Sequence, residues 1–337
     1  MTAIQCRVMR TILPLLLCAT AAHTAVRFRA QEIQRDFGVV YAVLVADING
    51  DGKLDLALGA DWHPSNATSG GTLQWIARDL SAPNAPWKLT PIAEEPTLHR
   101  IRWGDVDGDG KPELIVAPLQ GRGTKGPAWD GQGARILVFH IPKDPAHDPW
   151  PMEVADDSLH IVHNFLVTDF DGDGQQDILT ASREGIHVLT RNPDGHWTKM
   201  KIAEGAPGEI KMGRVGGKRQ LATVEPWHGN SIVIYEEHNG KWPRHVIEEG
   251  LAGAHALGWG DFDGDGDDEL AAGWREKNFG VAVYKRASDG SWSKSMVDDG
   301  GMAAEDLTVA DLNGDGRPEI IAVGRSTANV KIYWNEK

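Results

Sequence analysis

One acidic string recurs five times along this chain, and no other feature limits its fold as tightly. It reads Asp47-Ile-Asn49-Gly-Asp51-Gly-Lys-Leu-Asp55, Asp105-Val-Asp107-Gly-Asp109-Gly-Lys-Pro-Glu113 and Asp169-Phe-Asp171-Gly-Asp173-Gly-Gln-Gln-Asp177. It returns as Asp261-Phe-Asp263-Gly-Asp265-Gly-Asp-Asp-Glu269 and Asp311-Leu-Asn313-Gly-Asp315-Gly-Arg-Pro-Glu319. A degenerate copy, Arg214-Val-Gly-Gly-Lys-Arg-Gln220, has lost the carboxylates. First positions follow one another at 58, 64, 45, 47 and 50 residues, the period of propeller blades.

The flanks of each string read as strands. Short apolar runs precede the loops (Val43–Ala46, Ala256–Trp259) and follow them (Leu114–Val116, Ile320–Val323). A third run comes next (Val281–Tyr284, Val330–Tyr333), and a fourth opens near Trp87, Trp150, Trp197, Trp242 or Trp292. Turn signals such as Asn192-Pro-Asp-Gly195, Asn239-Gly240 and Asp289-Gly290 separate third from fourth, as hairpins require. Four antiparallel strands per repeat predict an all-β propeller. Six first strands are visible but only five fourth strands. The N-terminal stretch Val26–Ile33 has the pattern to supply the missing one and close the ring. Six blades are therefore expected over residues 26–337, with seven as the alternative count. The evenly spaced Trp residues are expected to pack blades together.

Carboxylates at positions 1, 3, 5 and 9 of each string, with Gly at 4 and 6, form tight turns whose oxygens converge. Such a donor set suits Ca²⁺, whereas Zn²⁺ prefers nitrogen and sulfur. An EF-hand would need Glu at position 12, where this chain has Leu58, Val116, Thr180, Ala272 and Ala322. Up to five structural Ca²⁺ are expected, in strand–loop–strand sites.

Both cysteines, Cys6 and Cys18, lie in an opening segment where Arg7 and Arg10 precede the apolar run Thr11–Ala22. This is a signal-peptide layout over residues 1–25, too short to span a bilayer, and it predicts a secreted or periplasmic monomer. Lys and Arg number 34 against 48 Asp and Glu, a net charge of −14. That balance disfavours nucleic-acid binding and adsorption to anionic lipid, and no membrane insertion is expected.

Counting six residues back from each loop's first Asp gives Tyr41, His99, His163, His255 and Glu305. These positions fall at the end of the inner strands opposite the acidic loops, where they would converge on the axis. Clustered neutral imidazoles are a common transition-metal ligand set. His99, His163 and His255 are expected to hold Zn²⁺ or another divalent transition metal, the alternative being a hydrogen-bonded channel lining. Loops on the same face carry Asp61-Trp62-His63, Ser182-Arg183-Glu184, Glu225-Pro-Trp227-His228 and Trp274-Arg275. They offer aromatic platforms and guanidinium forks suited to a small carbohydrate or glycan. His228, Tyr41 and Glu305 are candidate general bases, and Arg183 and Arg275 candidate stabilisers of an enolate. His140, His147, His196, His238 and His245 read as structural or surface residues.

The acidic repeats resemble the FG-GAP/VCBS propeller family, which includes integrin α-subunit heads. The strings His163-Asn164-Phe165, Ser182-Arg183-Glu184-Gly185, Glu225-Pro-Trp-His228-Gly-Asn230 and Gly273-Trp274-Arg275 resemble the propeller domain of aldos-2-ulose dehydratase. That resemblance implies removal of water from keto-sugars such as glucosone or anhydrofructose. The family enzyme carries cupin domains after its propeller, whereas this chain stops at Lys337; the resemblance therefore implies no isomerase step here, and a separate cupin-type partner is one alternative. Two readings follow: a metal-dependent lyase acting by β-elimination on a keto-sugar, or a non-catalytic extracellular module for glycan or protein. A polysaccharide lyase is a variant of the first with a longer substrate.

Overall fold

In the computed structural model, residues 38–40, 42–63, 65–77 and 87–336 are described. They form six antiparallel sheets in chain order, each a simple meander, and contain no helix. The inner strands are Ala42–Ala46, Leu98–Gly104, Asn164–Thr168, Glu209–Val215, Ala254–Gly260 and Ala304–Ala310. Successive inner strands lie against one another, and the sheets stand around them as the blades of a six-bladed β-propeller. Blades one to five have four strands, and blade six has three among the described residues. The expected closing strand Val26–Ile33, the signal segment 1–25 and Tyr41 lie outside the described residues.

Burial explains the apolar runs. The second strands Glu113–Pro118, Asp177–Ser182 and Glu269–Trp274 are buried along their whole length, because sheets cover both of their faces. A strand covered twice has no solvent side on which to alternate. Fourth strands form the perimeter, and Trp197–Ala203 is exposed over most of its length. The core is accordingly layered between blades. Val106, Ile115, Ile136, Phe165 and Ile178 join blades two and three, while Leu257, Leu270, Tyr284 and Ile234 join blades four and five. Several of the expected blade-packing indoles sit here: Trp242 stacks on Phe170 at 5.3 Å and Trp292 lies 6.3 Å from Trp259.

Near the axis the inner strands approach too closely for side chains at some positions. A Cβ on Gly213 would lie 2.5 Å from the Trp259 ring of the next blade. Glycine lets blades four and five meet there. In blade six the edge strand Asn329–Tyr333 leaves Val330, Ile332 and the following Trp334 exposed.

Candidate functional site

In blades two, five and six the position six residues before the acidic loop has a distinctive backbone. Pairing between first and second strands skips one residue at His99 (Leu98 faces Pro118, Arg100 faces Ala117). The same slip occurs at His255 and at Glu305. A β-bulge of this kind turns the extra side chain out of the pleat, here toward the axis. His163 directly precedes its strand, and its N–H bonds the Ala181 carbonyl at 3.1 Å.

Each of these imidazoles is tied to the next blade. His99 Nδ1 lies 2.9 Å from the His163 carbonyl oxygen, His163 Nδ1 2.5 Å from that of Gly208, and His255 Nδ1 2.5 Å from that of Glu305. A carbonyl can only accept, so each Nδ1 carries the proton and each Nε2 keeps its lone pair. Burial, reinforced by neighbouring charges, holds His99 and His163 well below the usual imidazole range. Burial also lowers His255 and brings His228 down to about 3. All four rings are neutral near pH 7.

Blade four departs from the pattern. Gly208 stands where the other blades have Tyr, His or Glu, and its vacant space admits a turn from its own blade. A Cβ on Gly208 would lie 2.9 Å from Trp227 Cδ1 and 3.2 Å from His228 N. The turn runs through a cis Glu225–Pro226 bond and a left-handed His228 (φ 51°). His228 Nε2 thereby comes 2.9 Å from His163 Nε2. One ring nitrogen each from His163, His228 and His255 lies within 4.8 Å of the others. His99 stands beside this trio, its ring 4.8 Å from that of His163.

Of the residues expected from sequence to bind a transition metal, the fold thus groups His163 and His255 with His228, a candidate base. His99 instead supports the His163 carbonyl. Glu305 reaches the same mouth but is paired with Arg275 at 2.5 Å and lies 3.8 Å from Arg325. Arg183 turns away from the imidazoles, toward the Ala128 carbonyl and Asp130. The indoles of Trp62 and Trp227 border the cluster, 6.2 Å from His99 and 5.8 Å from His163, and Trp129 abuts Trp227 at 6.2 Å. Trp129 and Arg325 were not anticipated. Arg325 follows the second strand of its blade as Arg183 and Arg275 follow theirs, a positional echo that could have exposed it.

The donor set fits a transition metal. Three neutral nitrogens converge, and among the described residues the buried His255 Nε2 has no hydrogen-bond partner. A polar network lies beside the imidazoles. The Asn164 amide donates to both Glu209 carboxylate oxygens at 2.7 and 2.6 Å and accepts from Arg102 at 2.9 Å. Burial alone would raise the Glu209 carboxyl, but Lys211, Arg100 and Asn164 outweigh it and hold it below the usual range.

At the opposite end, all five acidic strings form the expected loops between first and second strands. Asp47, Asp105, Asp169, Asp261 and Asp311 each accept the N–H of the sixth-position glycine, at 2.8–3.1 Å. The ninth-position carboxylates of Asp55, Glu113, Asp177, Glu269 and Glu319 are buried. Glu113 takes the N–H of Val106 at 3.0 Å, and Asp177, Glu269 and Glu319 take the equivalent bond. Donor oxygens cluster among Asp105, Asp107 and Asp109, among Asp169, Asp171 and Asp177, and among Asp261, Asp263 and Asp265. Asp51, Asp173 and Asp315 each return a side-chain oxygen to the N–H two residues on, beside Asn49 and Asn313. His140, expected to be merely structural or at the surface, faces Glu113 and Asp107 at 3.5 and 3.7 Å.

Acid-looped blades around a buried axial histidine cluster define an FG-GAP-type β-propeller, and FG-GAP repeat models match residues 39–74 and 261–322. More narrowly, the chain belongs to the family of the aldos-2-ulose dehydratase β-propeller domain, whose model matches residues 70–238. Among curated proteins there is no significant match. The fold is similar to BBS1N, solved in complex with ARL6DN (13% identity, 89% of this chain and 81% of that one, TM-score 0.55). It is also similar to an Agrocybe aegerita lectin that recognises non-reducing terminal N-acetylglucosamine (15% identity, 87% and 80% covered, TM-score 0.52).

Proposed function

We propose that this propeller is a secreted or periplasmic lyase that removes water, or a glycosidic oxygen, from a keto-sugar held at the histidine-lined mouth. The observation that carries this reading is the convergence of His163, His228 and His255 with the Nδ1 protons of His163 and His255 committed to carbonyls. These three residues would hold a divalent transition metal, which supplies polarisation of the substrate carbonyl and acidifies the adjacent C–H. The chain's own groups perform the rest. The Glu305 carboxylate, paired with Arg275, would take the proton, with Tyr41 as the other candidate. As the C–H pair becomes a C=C bond, the β C–O bond breaks and the departing oxygen receives the proton that the base has taken, leaving as water or a sugar hydroxyl. Trp62 and Trp227 offer apolar faces to a pyranose ring, and Arg275 orients hydroxyls. In this reading Ca²⁺ in the rim loops is structural.

The reading is tested with tag-free protein. Elemental analysis should find about one Zn, Mn or similar ion per chain beyond calcium. Ultraviolet absorbance should report enone formation from 1,5-anhydrofructose, glucosone or a 3-keto-glycoside. His163→Ala should abolish both signals, and a variant eliminating at the wild-type rate would end the proposal. A non-catalytic glycan module is the second reading, favoured by the ion pair that occupies Glu305 and Arg275. It predicts sugar binding with calcium alone.

A further inference from the structure

The five acidic loops are alike in sequence but not in what faces them. The deciding position is the residue one past the partner of the second strand's first apolar side chain, at the end of the third strand. It is Ala77 in blade one, His140 in blade two, Thr190 in blade three and Trp334 in blade six. In blade five it is Lys285. The Lys285 ammonium donates to Asp265 at 2.7 Å and to Glu269 at 3.0 Å, and also to Asp263. Three of the four carboxylates that would ligate a cation thus already surround one. Elsewhere the facing residue is uncharged or stands off: Thr190 gives Asp177 a neutral hydroxyl, the nearest loop carboxylate to His140 is 3.5 Å away, and the loops' own Lys53, Lys111 and Arg317 each approach a single carboxylate at 3.5–3.6 Å.

The loop itself differs accordingly. In the other four, the third-position side chain accepts the fifth-position N–H, as Asn49, Asp107, Asp171 and Asn313 do at 2.8–3.1 Å. In blade five that N–H goes to Asp261, and Asp263 turns to Lys285 instead. The additional acids of this loop are engaged as well. Asp268 and Asp267 each accept a backbone N–H of the blade-four turn, from Arg214 and Gly216, both at 2.7 Å.

Blade four is the mirror image. Its turn has lost the carboxylates, and its third strand carries Glu236 where blade five has Lys285. Glu236 receives Lys218 at 3.0 Å, Gln220 at 3.1 Å and Arg286 of blade five at 3.3 Å. Where no third-strand cation reaches into an acidic rim loop, its convergent carboxylates are left for a metal to neutralise. Where the third strand supplies the complementary charge, it is not.

We propose that Lys285 is the resident cation of the blade-five loop, so that blades four and five are braced by side-chain ion pairs and only blades one, two, three and six take Ca²⁺. A divalent ion entering blade five would have to expel an ammonium held by three carboxylates, which removes most of its electrostatic advantage. The proposal rests on the reading of the rim loops as calcium sites.

The test is calcium stoichiometry of the full chain by equilibrium dialysis with elemental analysis. Wild type should bind four Ca²⁺ rather than five. Lys285→Met should bind five, and Lys285→Arg should remain at four. If Lys285→Met fails to fold, Lys285→Gln, which keeps a hydrogen-bonding end without the charge, should show the same gain of one. Five ions in wild type, or no gain in either neutral variant, would overturn the assignment of Lys285. Asp169→Ala serves as the separate control: if it does not lower the wild-type count by one, the calcium reading itself fails, whatever Lys285 does.

Discussion

Glu113→Gln should remove a pH dependence of stability that the calcium-depleted protein would otherwise show. Glu113 is 3% exposed, and its carboxylate has a single backbone donor, Val106. Burial pushes the Glu113 carboxyl from 4.5 up to about 7, with Asp107 and Asp105 adding to the rise and Val106 and His140 opposing it. The folded state therefore holds this proton more tightly than the unfolded chain does. Between pH 4.5 and about 7 the folded protein binds more protons, so this contribution to stability is intact below 4.5 and is lost as pH rises through about 7. At about 1.4 kcal/mol per pH unit, the interval from 4.5 to about 7 corresponds to about 3 kcal/mol. Urea unfolding in chelator at pH 5 and pH 8 measures it. Wild type should lose about 2.5 kcal/mol more than Glu113→Gln between those two conditions, since a little of the contribution is already gone at pH 5. Added Ca²⁺ should shrink the difference, since a bound cation stabilises the ionised form. Identical pH dependence in the two proteins would refute the argument.

Two further outcomes follow from the mouth. Gly208→Ala places a methyl group against Trp227 and His228, so a Co²⁺ titration followed by absorbance should show about 10- to 100-fold weaker binding, the usual scale for disturbing a ligand's support. Asn164→Ala strips the buried Glu209 of both amide bonds. It should cost about 2–3 kcal/mol in denaturant unfolding, the scale for removing hydrogen bonds to a buried charged group, here one that keeps the Ile210 N–H and Lys211.

The acidic repeat made the propeller legible because each copy marks the same turn between first and second strands. A fixed landmark in every blade sets the register of all that follows, and counting back from it reached the bulged positions of His99, His255 and Glu305. The count could not reach His228, which arrives from the loop after the second strand of blade four. The loop string Glu225-Pro-Trp227-His228 marked it as a residue of that face, and Gly208, six residues before Arg214, is the blank it fills. Lys285 escaped for a related reason. A loop motif records the donors on its own segment and nothing about the neighbouring strand that faces them, so five matching strings suggest five equal sites. The pairing of Glu305 with Arg275 was likewise invisible, since 30 residues separate them and each had been assigned a separate chemical role. Closure by Val26–Ile33 and the role of Tyr41 concern residues outside those described.

The bonds from His99 to blade three, His163 to blade four and His255 to blade six make the imidazole cluster a property of seated neighbours. No single blade can orient its own ring, because the carbonyl that fixes the tautomer belongs to the next. A chain with half its ring assembled would present loosely hinged histidines of undefined protonation, poor chelators for any stray ion. If the cluster holds a metal as proposed, competence to capture it arises late in maturation, as a certificate that the circle has come together in the proper order.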